Sequence, residues 1–185
     1  MSTREFKIVL VGEGGVGKTT YLKRLLTGKF EKRYIATLGV EVYPLSFNTT
    51  SRKVQLNIWD CAGQEQFNGL RDGYYRNADG AIIMADDRKL SVKNVNRDVR
   101  DICRMATSPN VPIVLVLNKN DIKEHKPRNL MSDGPSFELY TIAISAKTNY
   151  NDREPILKLL RQMMDSPDLE IMENDWVEPP VAIIS

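Results

Sequence analysis

Short apolar runs rich in Val and Ile recur along the chain: "FKIVLVG", "GAIIMAD", "VPIVLVLNK" and "LYTIAIS". Runs that are apolar on successive residues fit strands covered on both faces, the setting of a parallel sheet. Between them the spacing becomes helical. In "KTTYLKRLLTG", Tyr21, Leu22, Leu25 and Leu26 fall along one side, and Gly28 is placed to cap the C-terminus. In "SVKNVNRDVRDICRMA", Val92, Val95, Val99, Ile102 and Met105 form one stripe behind Ser91, a good N-cap. "NDREPILKLLRQMMD" offers Ile156, Leu159, Leu160 and Met163 for a last helix. One region departs from this rhythm. "VEVYPLSFN" and "RKVQLNIWD" alternate apolar and polar positions around "TTS", which predicts an antiparallel hairpin with no helix between its strands. The sum is an α/β fold with a mostly parallel sheet of about six strands, one antiparallel edge strand, and helices on both faces.

Residues 1–166 read as one domain, which the 185-residue length supports. The remainder, 167–185, loses periodicity and carries three prolines, so it is expected as a C-terminal extension that is extended, docked or mobile. A composition of 42% hydrophobic and 27% charged residues is that of an ordinary globular protein. The formal charge of +2 gives no argument for nucleic acid or a membrane surface as partner. The basic clusters "KRLLTGKFEKR" and "KEHKPR" read as solvated faces. Cys61 and Cys103 have no metal-ligand spacing, which suits a reduced, intracellular protein. Ser2 is no myristoylation site, "VAIIS" has no cysteine to prenylate, and no apolar run nears the ~18 residues of a membrane span. No membrane anchor is therefore expected.

The chemistry begins at "GEGGVGKTT". Gly12-x-x-x-x-Gly17-Lys18-Thr19 is a complete phosphate-binding loop between a strand and a helix, the mark of a P-loop NTPase. Glycines here let the backbone from Gly12 through Glu13, Gly14, Gly15 and Val16 wrap a phosphate with its N–H groups. The helix start at Lys18, Thr19 and Thr20 points its positive end at the same spot. Lys18 supplies a charge to the β and γ phosphates, and the Thr19 hydroxyl can ligate Mg²⁺. "WDCAGQE" ends the next strand. Asp60 lies where a carboxylate reaches the metal, Gly63 can offer its N–H to the γ-phosphate, and the Gln64 amide can orient an attacking water.

"LNKND" addresses the base. An ionised Asp121 can accept both N1–H and N2–H₂ of guanine, a pair of donors that adenine lacks. Asn118 closes the strand before it, and the stem of Lys119 can lie on a base face with its head in water. In "SAK", Ser145 to Lys147, the Ala146 N–H can donate to guanine O6.

These elements, in this order, resemble the Ras-like small GTPases over about Phe6 to Asp165. The segments "TGKFEKRYIATLGVEVYPLSF", "GLRDGYYRNADGAIIM" and "ISAKTNYN" look like the Ran family of nuclear-transport GTPases. The resemblance implies Thr37 as a second Mg²⁺ ligand in the GTP state, Phe30 against the guanine edge, and Tyr34 over the phosphates near Gln64. It implies GTP and GDP with Mg²⁺ as cofactors, slow hydrolysis until a GTPase-activating protein arrives, and an exchange factor. It further implies importin- and exportin-type receptors as partners, a monomer, and residence in nucleus and cytoplasm. A Rab-like trafficking GTPase and a hydrolysis-poor GTP-binding scaffold are the alternatives. Departures from the family pattern are Cys61, Leu117, "MADDRKLS", the less basic "KEHKPRNLMSDGPSF", and the lack of a long acidic tail after Ser185.

Overall fold

The computed structural model describes residues 3–33, 35–63, 68–122 and 139–172. In chain order these form β1 (Arg4–Val11), α1 (Lys18–Thr27), β2 (Val40–Asn48), β3 (Lys53–Cys61), α2 (Asn68–Tyr75), β4 (Gly80–Asp86), α3 (Val92–Met105), β5 (Ile113–Asn118), β6 (Tyr140–Ala143) and α4 (Glu154–Met163). A short 3₁₀ turn, Asp87–Lys89, links β4 to α3. The strands make one six-stranded sheet in the order β2-β3-β1-β4-β5-β6. Every pairing is parallel except β2 with β3. The expected hairpin is therefore the edge of the sheet, and Pro44, which cannot donate to a ladder, sits on its outer strand.

Alternation along the central strands separates two cores. Ile8 and Leu10 of β1 face one way, and Tyr21, Leu22 and Leu25 of α1 pack there with Ile156, Leu159 and Leu160 of α4. Val9 and Val11 face the other way, toward Val95, Val99 and Ile102 of α3. Each stripe read from the sequence is thus the buried face of its helix, except that Val92, the first residue of α3, is half-buried and stands outside both cores. Leu26 and Met163 pack at the rim of the first core and Met105 at the rim of the second. Gly28 caps α1 in the left-handed conformation, and the Ser91 side chain accepts from the Asn94 N–H at the start of α3. The Tyr21 hydroxyl, buried with its ring, donates to the Asp152 carbonyl at 2.7 Å, as a buried phenol requires.

The sequence pattern gave no signal for α2. It is eight residues long and carries Gly73 in its interior, so no apolar stripe or strong propensity announces it.

After α4 the chain crosses the tip of the β2–β3 hairpin. Thr49 and Ile171 form an antiparallel bridge, the Met172 N–H donates to Asn48 O at 2.9 Å, and Thr50 N–H donates to Glu170 O at 3.0 Å. Leu169 is fully buried in the first core, and Arg161 Nε holds its carbonyl at 2.9 Å. Of the expected extension, residues 167–172 are therefore docked, while 173–185 lie outside the described residues. Leu169→Ala is expected to cost about 2–5 kcal/mol of unfolding free energy by urea titration, through lost burial and the cavity left behind. Among the described residues no helix is long and apolar enough to cross a membrane.

Candidate functional site

The parallel strands all run toward one edge of the sheet, and the loops leaving their C-terminal ends meet there. The loop after β1 carries Gly12 to Gly17 and leads into α1, whose first residue is Lys18. Gly17 holds φ +101°, and a Cβ on it would lie 2.4 Å from the Asn118 amide, so glycine is required on both counts. Lys18 is 6% exposed. Its ammonium donates to Gly12 O at 2.8 Å and Glu13 O at 3.1 Å, which holds a positive charge inside the loop. Glu13 reaches outward and accepts from Asn94 Nδ2 of α3.

Three oxygens from three elements converge beside Lys18. The Thr19 hydroxyl donates to Asp60 Oδ2 at 2.5 Å, and Thr37 Oγ1 lies 2.9 Å from Thr19 Oγ1. Asp60 is fully buried, and its Oδ1 has no hydrogen-bond partner among the described residues. A buried carboxylate oxygen without a hydrogen-bond partner is costly, and it is free to accept a cation. Burial pushes the Asp60 carboxyl up to about 6, against the Thr19 hydrogen bond and the Lys18 charge, which pull it down. One carboxylate and two hydroxyls are the hard oxygen donors that Mg²⁺ takes alongside phosphate and water, so the residues present fit that cation. Because the folded acid binds its proton more tightly than an exposed one, a cation at these oxygens competes with a proton below about pH 6.

Gly63 closes this end. A Cβ on it would fall 2.4 Å from Gly14 N and 2.7 Å from Gly12 O, so the loop after β3 lies directly on the phosphate loop. Any larger residue at Gly63 would push the two apart. Gln64 and Tyr34, both expected over the phosphates, lie outside the described residues. Phe30 and Thr20 are half-buried near the two ends of α1.

At the other end, Asn118 ties three loops together. Its Nδ2 donates to Val16 O at 2.9 Å, and its Oδ1 accepts from Ala146 N at 3.1 Å. The Ala146 N–H is thus engaged by Asn118, and a base oxygen reaching it must share that donor. Asp121 Oδ1 accepts from Ser145 Oγ at 2.7 Å, and Oδ2 faces Lys147 Nζ at 3.5 Å. Partial burial draws the Asp121 acid upward, but hydrogen bonds from Ser145 and the backbone and the Lys147 charge prevail and hold it below the usual carboxylate range. The group is an anion at neutral pH, as acceptance of two donors requires.

Lys119 departs from its expected pose. Its head is tied to the protein and not left to water alone: Nζ donates to Gly15 O at 2.7 Å and to Asp86 Oδ2 at 2.9 Å. The Asp86 carboxyl is held well below the usual range, first by its hydrogen bonds to Arg88 and then, against the cost of burial, by Lys119. The sequence marked Asp86 only as a departure in "MADDRKLS". Its position closing β4 directly opposite Asn118 is the signal that could have found it.

A cradle of backbone amides with a buried lysine, a hard-oxygen cluster and an anionic carboxylate at the far end, all at the C-terminal edge of a parallel sheet, define a P-loop nucleotide-binding protein. A family model described as Ras family matches residues 7–165. The chain belongs to the Ras family, and it is a small GTPase. Members of that family bind GTP or GDP with Mg²⁺, hydrolyse GTP, and are set by GTPase-activating proteins and exchange factors.

Proposed function

We propose that this small GTPase is a Ran-type switch that regulates nucleocytoplasmic transport, present in nucleus and cytoplasm and read by importin- and exportin-type receptors. The observation that carries the switch is the meeting of Thr37 with Thr19 and Asp60, because a loop residue then senses what occupies the phosphate end. The transport role rests on the segments that resemble the Ran family, "TGKFEKRYIATLGVEVYPLSF" above all.

In this reading the amides of Gly12 to Gly17, Thr19 and Thr20 surround the phosphates, and Lys18 brings its charge to the β and γ groups. Thr19, Thr37 and Asp60 hold the Mg²⁺, which when bound supplies positive charge to the phosphate oxygens. Thr37 and Gly63 keep their loops ordered while a γ-phosphate is present, and its loss releases both. Gln64 orients the attacking water, and Tyr34 covers the phosphates. Asp121 selects guanine, Lys119 lies along one face of the base, Phe30 stands at its edge, and Ser145, Ala146 and Lys147 complete the wall. Catalysis is positional and electrostatic, with no covalent intermediate.

Purified importin-type receptors should retain the protein loaded with a non-hydrolysable GTP analogue and release it with GDP. Single-turnover hydrolysis should rise steeply when a Ran-type activator is added, and Gln64→Leu should lose most of that rise. Equal capture in both nucleotide states would end the switch reading. Absence of capture in either would end the transport reading while leaving the GTPase intact.

A further inference from the structure

Asp86 has no task in the function just proposed, yet its surroundings are fully specified. It is 4% exposed. Its Oδ1 accepts from the Arg88 N–H at 3.1 Å and from Arg88 Nε at 2.9 Å. Its Oδ2 accepts from Arg88 Nη2 at 2.6 Å and from Lys119 Nζ at 2.9 Å. The fork of Arg88 thus fixes the carboxylate plane, and the remaining acceptor direction is spent on the lysine. The same ammonium continues to Gly15 O at 2.7 Å. One unbroken chain of contacts, Arg88 to Asp86 to Lys119 to Gly15, joins the turn before α3, the base loop and the phosphate loop.

Two further observations show what this chain restrains. Lys119 holds φ +69°, a left-handed conformation that is strained for a side-chain-bearing residue and persists only where the surroundings enforce it. On the same flank lies a cavity of about 200 Å³, bordered by Gly15, Asp86, Arg88, Asn94, Asp98 and Lys119. An untethered lysine head has that space to turn into. Its stem would then leave the base side of the site, and the Gly15 carbonyl would lose its lysine partner.

We propose that Asp86, clamped by Arg88, is a positioning residue that slows release of guanine nucleotide by pinning Lys119 against Gly15. The inference rests on the guanine-nucleotide reading above. It acts through Lys119 and touches no phosphate, so it concerns retention and not the hydrolytic step.

The test is release of a fluorescent GDP analogue, chased with excess unlabelled GDP in the presence of Mg²⁺. Asp86→Asn keeps the shape and removes the charge, and it should speed release about tenfold, the scale of one charge-assisted hydrogen bond. Asp86→Glu, which keeps the charge, should recover part of the slow release. The decisive arm repeats Asp86→Asn in a Lys119→Met background, where it should add no further acceleration. An equal acceleration in both backgrounds means a merely structural effect and overturns the proposal, as does unchanged release in Asp86→Asn. If Asp86→Asn does not fold, Arg88→Ala serves the same comparison, with a smaller acceleration that must again vanish without Lys119. Failure of the unaltered protein to bind the analogue would strike the guanine-nucleotide reading itself, so the two failures are distinguishable.

Discussion

Lys18→Met should weaken GTP binding by about a thousandfold, the largest loss expected from any single side chain of the phosphate end. The ammonium sits inside the loop with Gly12 O and Glu13 O as acceptors, so it is desolvated and aimed before any nucleotide arrives. Removing one member of a buried charge pair costs about 3–5 kcal/mol, which at about 1.4 kcal/mol per decade spans two to four decades. Methionine fills a similar volume without the charge. Its effect on the nucleotide-free protein should stay within about 2 kcal/mol, because relief from burying an ammonium offsets the loss of two acceptor bonds. Titration with a fluorescent GTP analogue, alongside urea unfolding without nucleotide, separates the two effects. A folded variant that binds within tenfold of the unaltered protein would refute the placing of the phosphates at Lys18.

That prediction was accessible from nine consecutive residues, and the reason is physical. A phosphate loop is a local structure whose glycines, lysine and hydroxyl must follow one another on a single turn. Asp60 and Asp121 were legible for a related reason, since a carboxylate at or just beyond the C-terminal end of a strand that runs parallel to its neighbours has one edge of the sheet at which to emerge. The same logic made the six strands and the stripes of α1, α3 and α4 readable. What the sequence concealed depends on loops meeting across the fold. The head of Lys119 goes to Gly15 and Asp86, two positions brought together only by the β1–β4–β5 order. Leu169 belongs to an aperiodic stretch, and its burial follows from the β2–β3 tip standing beside the exit of α4. Helix α2 lacks a stripe because Gly73 interrupts it and its length allows little periodicity.

Asp121→Asn should exchange guanine preference for xanthine preference, and the arithmetic comes from the donors on each base. Guanine presents two neighbouring donors, N1–H and N2–H₂, to a carboxylate that its neighbours keep ionised. The asparagine amide offers one acceptor and one donor, so N1–H keeps a partner while N2–H₂ meets another N–H. A site built to hydrogen-bond a group discriminates strongly when that match is broken, because the polar atoms on both sides are left unpaired. Loss of a charge-assisted contact and gain of a donor–donor clash together predict a fall of about a hundredfold or more in GDP affinity. Xanthine carries a carbonyl where guanine carries its amino group, which restores the match and should bring xanthosine diphosphate above GDP in direct competition. Of the two neighbours, Ser145 Oγ at Oδ1 and Lys147 Nζ at Oδ2, the single amide oxygen can serve only one, but the Ser145 hydroxyl can pair with either amide atom and still holds the side chain, so the change should act on base choice with little effect on unfolding. Competition titrations of the variant against GDP, xanthosine diphosphate and ADP read this out. A variant that loses all three equally would show that Asp121 supports the loop and does not read the base.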